Sequence, residues 1–181
     1  MEAKARAQDF QALEGKLAEM GAVLETQKLE RDEYFAHPAR DFGKTDEALR
    51  LRVTTADDGG GWSRAELTYK GPKVDDTTKT RPEETVEIPV DHAEGARFIL
   101  ERLGFTPVAR LEKRRREFVV EGLTVCLDEV EGLGRFVEVE TISADLEVAR
   151  GKVLALFHRL GLAPDVRESY LEMHLAGQKG L

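Results

Sequence analysis

The stretch LDEVEGLGRFVEVE, residues 127–140, places acidic side chains between apolar ones. Successive side chains of a β-strand point to opposite faces, so residues i and i+2 share a face. Glu138 and Glu140 would therefore share one face, and Val137 and Val139 would share the other. This alternation predicts a strand of an antiparallel sheet that has one charged face and one apolar face.

The same period of two recurs along most of the chain. It predicts eight strands, over residues 2–7, 23–35, 48–54, 63–70, 80–89, 108–120, 123–130 and 136–142. The pair Glu121-Gly122 suits a tight hairpin turn between two of them. The charged faces would carry Glu2, Lys4, Arg6, Arg50, Arg52, Glu66, Thr68, Lys70, Arg81, Glu83, Thr85, Glu87, Lys113, Arg115, Glu117, Asp128, Glu138 and Glu140.

Helical periodicity appears between the strands, over about residues 9–20, 92–103 and 145–160. Each segment ends at a glycine, as the C′ position of a helix prefers. A short helix is expected around residues 169–175. Amphipathic helices need an apolar surface to cover, so we expect them on the apolar side of the sheet. Their apolar stripes are Phe10, Leu13, Leu17 and Met20; Phe98, Ile99 and Leu103; and Leu146, Val153, Leu156, Phe157 and Leu160.

A sheet of so many strands favours curling or closure, which would turn the charged face inward. An interior lined by both signs of charge is costly unless the charges are paired, hydrated or satisfied by a ligand. Such an interior suits a polyanion that binds together with metal ions. The alternative is an open sheet whose charged face is solvated, and the pattern alone favours neither.

The bulk composition excludes several classes of protein. The chain has 181 residues, 34% of them charged, with a net charge of −8 and a pI near 5.2, which argues against a broad nucleic-acid or membrane-surface footprint. No apolar stretch approaches the roughly 20 residues of a membrane span, and Met1–Gln8 has no signal-peptide core. The single cysteine, Cys126, fits a reducing cytoplasm. We expect one cytoplasmic domain over residues 1–181, within which a weak internal repeat suggests two related halves.

Seven short motifs, in order, resemble one known family, the CYTH superfamily or triphosphate tunnel metalloenzymes. They are Glu2-Ala3-Lys4, EALRLR (47–52), LTYKGP (67–72), KTRPEE (79–84), EKRRREF (112–118), LDEVEGLGRFVEVE (127–140) and SYLEM (169–173). The likeness spans essentially the whole chain and is greatest to class IV adenylate cyclase-like proteins. Thiamine triphosphatases and inorganic tripolyphosphatases are relatives of that group.

The resemblance implies an α+β fold, a closed antiparallel eight-stranded β-barrel with helices packed outside. It implies that Mg²⁺ or Mn²⁺ is held by Glu2, Glu138 and Glu140, with Asp128 assisting. It implies catalytic roles for Lys4, Arg115 and Glu138. The family motif has a further glutamate two residues before Glu2, and we expect one upstream of Met1. The triphosphate would be bound by Lys4, Arg50, Arg52, Lys70, Arg81, Lys113 and Arg115.

The same likeness implies an enzyme that converts ATP to cyclic AMP and pyrophosphate. The alternatives are a triphosphatase that hydrolyses tripolyphosphate, thiamine triphosphate or a nucleoside triphosphate, and a non-catalytic polyphosphate- or nucleotide-binding module. A homodimer is plausible for the family. Arg114 and Arg116 fall outside the alternation and are expected to be solvated or to face a helix. Tyr170, beside Ser169, could lie at the tunnel mouth.

Overall fold

A computed structural model describes residues 1–72, 82–143 and 145–178. Within them the chain forms eight strands, five α-helices and a 3₁₀ turn at Val90–His92. The strands are Glu2–Ala7 (β1), Val23–Ala36 (β2), Ala48–Ala56 (β3), Ser63–Lys70 (β4), Glu83–Ile88 (β5), Thr106–Val120 (β6), Leu123–Val130 (β7) and Gly134–Glu140 (β8). The α-helices are Phe10–Glu19 (α1), Phe42–Thr45 (α2), Ala93–Arg102 (α3), Leu146–Leu160 (α4) and Tyr170–Gln178 (α5).

The strands form one sheet in the order β1-β8-β7-β6-β2-β3-β4-β5. The β1–β8, β8–β7, β7–β6, β3–β4 and β4–β5 pairs are antiparallel. The predicted α+β class with eight antiparallel strands is confirmed. The order ends at β1 on one side and β5 on the other, so hydrogen bonds between described residues do not close the ladder.

The chain divides into two compact units, and the first comprises Met1–Lys28 with Lys113–Leu181. Its apolar core lies where α1 and α4 cover one face of β1, β7 and β8. The predicted stripe of α1 is confirmed, because Phe10, Leu13 and Leu17 are buried there. The stripe of α4 begins one turn later than predicted, at Ala149, and Leu146 in the first turn is exposed.

The second unit, Leu29–Glu112, has a smaller core of five buried residues. The predicted stripe of α3 is wrong: Phe98, Ile99 and Leu103 are 63%, 58% and 65% exposed. The buried residues of α3 are instead Ala93 and Leu100, which lie seven positions apart and therefore share a narrower face. That core consists of Phe35, Phe42, Leu49, Leu51 and Leu100.

Several boundaries differ from those predicted. Strand β8 begins and ends two residues earlier than the predicted 136–142. Strand β5 is Glu83–Ile88, and residues 80 and 81 of its predicted range lie outside the described residues. The sequence does not indicate helix α2, because it is only four residues long. Asp41 caps its N-terminus, and the Asp41 carboxylate accepts from two backbone N–H groups. The Glu121-Gly122 hairpin is confirmed, with φ of 54° and 75°. The single domain over 1–181 stays a prediction.

The predicted helix-ending glycines all adopt positive φ, and Gly161 at the end of α4 is the most constrained. Its φ is 75°, and a Cβ there would lie 3.0 Å from Lys16 Nζ. That ammonium donates to the Leu160 carbonyl at 2.6 Å, in the last turn of α4. Gly161 is therefore required by the local geometry of the α1–α4 contact.

We expect Gly161→Ala to lower the free energy of unfolding by about 1–2 kcal/mol, because an L-residue is strained at this φ. The matched control is Gly151→Ala in the same helix, where a Cβ would meet nothing within 4 Å. That change should raise stability by about 0.5–1 kcal/mol. Urea unfolding followed by circular dichroism measures both, and equal signs for the two variants would contradict the assignment.

Candidate functional site

The charged face of the first unit brings four buried ionisable residues together: Lys4 of β1, Arg115 of β6, Asp128 of β7 and Glu138 of β8. The strand register explains their meeting. Lys4 lies opposite Glu138, and Arg115 lies opposite Asp128, in antiparallel ladders. Together with Lys113 they form what we call the Lys4 cluster. The alternation of the sequence predicted this shared face.

Arg115 is the centre of the Lys4 cluster. Its guanidinium donates in a bidentate manner to Asp128, with Nε 2.6 Å from Oδ1, and a further N–H donates to Glu138 Oε2. Asp128 is fully buried. Burial alone would lower the pKa of Arg115, but Asp128 and Glu138 hold it well above its ordinary value. Arg115 therefore stays a cation, and its orientation is fixed by two carboxylates.

Glu138 joins Arg115 to Lys4. Its Oε1 lies 3.1 Å from Lys4 Nζ, while its Oε2 accepts from Arg115. Burial opposes ionisation of Glu138, but Arg115, Lys113 and Lys4 outweigh it and lower the pKa of the carboxyl. Glu138 is therefore ionised at neutral pH and offers a carboxylate inside the cluster.

Glu140 and Glu2 extend the cluster toward one end of β8 and β1, where they lie opposite each other. Burial raises the pKa of Glu140; Arg115 opposes that shift, and Glu2 and Glu138 add to it. Glu2 also acts against ionisation of Glu138. These three carboxylates repel one another, and a bound divalent cation would relieve that repulsion. Their oxygens are also the hard ligands that such a cation prefers.

The acidic residues fit a magnesium-like ion in chemistry, although they do not form a complete cage. Within residues 1–72, 82–143 and 145–178, no three histidine, cysteine, aspartate or glutamate residues are grouped so that they could hold a metal ion. Mg²⁺ usually takes only one or two carboxylates and completes its octahedron with waters and substrate phosphates. The residues present are therefore compatible with a metal that arrives together with a phosphate ligand.

A C-terminal residue also contacts the Lys4 cluster. The hydroxyl of Tyr170 donates to Asp128 Oδ2 at 2.9 Å, and its ring centroid lies 3.9 Å from Lys4 Nζ. No alternation in the sequence indicates this contact, because Tyr170 opens α5 and lies outside the sheet. Its motif SYLEM was the only signal.

The second unit holds a separate group of charges, the Asp32 cluster, made of Glu30, Asp32, Arg50 and Arg52. Arg52 donates in a bidentate manner to Asp32, at 2.6 and 2.7 Å, and its NH1 lies 2.8 Å from Glu30. Arg50 NH2 donates to Thr68 Oγ1 at 3.3 Å, while its buried Nε has no hydrogen-bond partner among the described residues. Arg50 is thus the less satisfied of the two arginines.

Sequence reasoning did not select Glu30 and Asp32. Glu30 and Asp32 share one face of β2 by the period of two. Arg31 and Glu33 place charges on the other face as well, so no alternation of polar and apolar residues marks the buried side. Burial, followed by the charge of Asp32, raises the pKa of Tyr34 to about 12, so its hydroxyl stays protonated beside this cluster. Asp32 fixes the orientation of Arg52 through its bidentate contact, and Arg52 is one of the residues predicted to bind triphosphate.

The remaining predicted residues are placed as follows. Lys70 pairs with Glu83 at 3.1 Å, between β4 and β5, and is partly exposed. Arg81 lies outside the described residues. Arg116 faces α1, as expected: it contacts Glu14, and its guanidinium lies over Phe10.

Comparison with known proteins identifies the family. A sequence model of the CYTH domain matches residues 1–170, nearly the whole chain. The chain belongs to the CYTH family. The family consists of metal-dependent proteins that bind and generally act on triphosphates, and its tunnel fold agrees with the eight-stranded antiparallel sheet described above.

Relatives of this CYTH chain include archaeal and plant proteins. A candidate adenylate cyclase of Methanocaldococcus jannaschii is 35% identical over 179 residues, which cover 96% of this chain and 97% of that protein. A solved protein of Pyrococcus horikoshii is 40% identical with a TM-score of 0.82, covering 97% and 98% of the two chains. A candidate adenylyl cyclase of Hippeastrum, described as having a dominant triphosphatase activity, is 20% identical with a TM-score of 0.72, covering 97% and 95%.

Among the described helices of this CYTH chain, none is both long and apolar enough to span a bilayer. Cys126 is a free, buried thiol. The cytoplasmic location, the homodimer and the upstream glutamate stay predictions.

We expect Asp128→Ala to lower the free energy of unfolding by about 3–5 kcal/mol, because it leaves the buried Arg115 without its bidentate partner. The control is Glu129→Ala, the next residue of β7, whose exposed pair with Arg135 should contribute about 0–1 kcal/mol. Chemical denaturation of both variants tests the difference. Similar losses for the two would show that Asp128 does not stabilise the cluster.

Glu140 predicts a pH dependence of stability. Its pKa is higher in the folded than in the unfolded protein, so the folded state binds the proton more tightly. This residue therefore reduces stability as the pH rises from the ordinary glutamate pKa through the raised value. We expect Glu140→Gln to gain stability over wild type across that interval and to keep the gain at neutral pH.

Urea unfolding between about pH 4 and pH 8, with a chelator present, measures that difference against the ordinary glutamate value of about 4.3. The comparison of variant with wild type cancels the titration of the other carboxyls to first order. A difference that shrinks as the pH rises would contradict the raised pKa of Glu140.

Proposed function

We propose that this protein is a metal-dependent enzyme that acts on a triphosphate, and that its reaction is the conversion of ATP to cyclic AMP and pyrophosphate. The Lys4 cluster is the observation that carries the proposal. Three cations and several carboxylates share one buried face, where they can bind a polyanion and its metal at once. The 35% identity to a candidate adenylate cyclase supports the choice of reaction.

The basic residues would bind and orient the phosphates. Lys4 lies on β1, and Lys113 and Arg115 lie on β6, with β8 and β7 between them. Their charges converge because Glu138 of β8 and Asp128 of β7 together contact all three cations. Phosphoryl chemistry requires mainly the positioning of the phosphates and the neutralisation of their developing charge. Arg50, Arg52 and Lys70, together with Arg81, are proposed as further phosphate ligands.

The acidic residues would hold the metal. We propose Glu138, Glu140 and Glu2 as its carboxylate ligands, with Asp128 assisting. A bound Mg²⁺ or Mn²⁺ would polarise the phosphate oxygens and neutralise charge at the leaving group. Glu138 suits this role because its lowered pKa keeps it ionised, and it also holds Lys4 and Arg115 in place.

In the proposed reaction the ribose 3′-hydroxyl attacks the α-phosphorus. The hydroxyl loses its proton to solvent water as the new P–O bond closes the cyclic phosphate. The bond from the α-phosphorus to the oxygen that bridges it to the β-phosphorus breaks, and pyrophosphate leaves with the displaced negative charge. Arg115 and Lys4 would stabilise that charge from fixed positions. No covalent intermediate with the protein is needed.

Hydrolysis of a triphosphate is the second candidate. The plant relative described as a dominant triphosphatase favours it, although that likeness extends only to the fold. The same cluster would bind the substrate, but water would attack the terminal phosphorus and form orthophosphate. The diphosphate part of the substrate would leave with the bridging oxygen.

Product identification tests the proposal. The protein is incubated with ATP or tripolyphosphate and Mg²⁺ or Mn²⁺, and the products are separated by chromatography. We expect cyclic AMP with an equal amount of pyrophosphate from ATP. Orthophosphate as the main product would instead identify a triphosphatase, and tight binding without turnover would identify a binding module.

We expect Glu138→Gln to lower kcat by about 100-fold or more, because it weakens the orientation of Lys4 and Arg115 and removes a carboxylate proposed to bind metal. Binding of tripolyphosphate, measured by calorimetry, should be affected much less than turnover. The control is Glu129→Gln on the exposed side of β7, which should leave kcat unchanged. Wild-type kcat in Glu138→Gln would remove Glu138 from the catalytic set.

A further inference from the structure

Residues 166–170 connect the C-terminal segment to the Lys4 cluster through backbone contacts. The Val166 N–H donates to the Lys4 carbonyl at 3.2 Å, forming an isolated antiparallel bridge with β1. Lys4 Nζ in turn donates to the Glu168 carbonyl at 3.2 Å. These two contacts on either side of one lysine fix the chain immediately before α5. Lys4 therefore sets the position of Tyr170, and Tyr170 in turn contacts Lys4.

Tyr170 contacts two opposite charges with two different parts of its side chain. Its hydroxyl donates to Asp128 Oδ2 at 2.9 Å, and its ring faces Lys4 Nζ with the centroid 3.9 Å away. The ring is supported from the side by Phe136, with centroids 5.1 Å apart in an edge-to-face arrangement. A cation over an aromatic face and a neutral donor to a carboxylate are each favourable, and more so when they are removed from water.

The hydroxyl of Tyr170 acts on the same oxygen as Arg115. Asp128 Oδ2 accepts from Tyr170 and from Arg115, and Lys113 Nζ lies 3.7 Å from it. The hydrogen bond from the phenol therefore fixes the carboxylate that orients the arginine.

We propose that Tyr170 is a positioning residue of the triphosphate site. Its hydroxyl fixes Asp128 and thereby the guanidinium of Arg115, and its ring fixes the ammonium of Lys4. The inference rests on the proposed function, because Lys4 and Arg115 are the residues expected to hold the phosphates. Tyr170 itself does not need to touch the substrate.

The competing explanation is that Tyr170 is only a packed aromatic residue whose loss would destabilise the protein. Two variants separate the explanations. Tyr170→Phe removes the hydroxyl and keeps the ring under Lys4, whereas Tyr170→Leu removes both. Met173→Leu is the control, since Met173 lies in α5 and its sulfur lies 4.0 Å from Arg6, outside the cluster.

The variants are compared with wild type by steady-state kinetics. The substrate is Mg²⁺-ATP or Mg²⁺-tripolyphosphate, whichever the wild-type protein converts. For Tyr170→Phe we expect kcat to fall about 10-fold, the effect of one hydrogen bond to a charged group, with KM unchanged. For Tyr170→Leu we expect KM to rise as well, by roughly 3-fold or more, because Lys4 loses its aromatic partner. Met173→Leu should match wild type.

Several results would overturn the inference. If wild type is active and Tyr170→Phe keeps its kcat and KM, the hydroxyl positions nothing. If kcat falls only in proportion to the loss of folded protein, measured by thermal unfolding under assay conditions, the role is structural. If wild type neither binds nor converts either compound, the proposed function is wrong, and the inference is overturned with it.

Discussion

The bidentate contact between Arg115 and Asp128 is the interaction on which the rest of the first unit depends. An arginine and an aspartate removed from water are tolerated only if each satisfies the other, and removal of one partner leaves a costly unpaired charge. Both residues are paired across β6 and β7, and Glu138 of β8 and Lys4 of β1 continue the same chain of contacts. Four strands therefore contribute alternating charges to one face, while α1 and α4 cover the opposite face with apolar side chains.

The second unit uses the same contact with the two partners exchanged. In β2 and β3 the acid comes first along the chain, as Asp32, and the arginine second, as Arg52; in β6 and β7 the order is arginine, then aspartate. Each pair joins one long strand to another strand of the sheet. The weak repeat in the sequence, two helix–glycine–long strand segments, agrees with this likeness. Each unit thus contains a bidentate arginine–aspartate pair between two strands, and the order of the two residues along the chain is reversed. A cluster of positive and negative side chains therefore occurs in each unit.

The sequence was sufficient for the strands and for most of the charged face, because a period of two is a local property that survives folding. It was not sufficient for β2, because Arg31 and Glu33 alternate with Glu30 and Asp32, so charges fall on both faces and the buried face is not marked. It was misleading for α3, since an apolar stripe indicates a face without indicating what covers it, and Phe98 and Ile99 are exposed. Tyr170 could not be derived from any pattern, because its partners lie 42 and 166 positions away along the chain.

The internal pairing of the Lys4 cluster has a consequence for the way a polyanion would be recognised. An open basic surface gathers mobile ions from solution, and their release drives the binding of phosphates and makes it sensitive to salt. In this protein the counter-ions of Lys4 and Arg115 are carboxylates anchored to the chain, and they cannot diffuse away. A polyanion would then bind by exchanging ion-pair partners with these anchored carboxylates, and the release of mobile ions would contribute little to the free energy of binding. Such a network of ion pairs would select a ligand that brings its own cation, because the displaced carboxylates need a new positive partner.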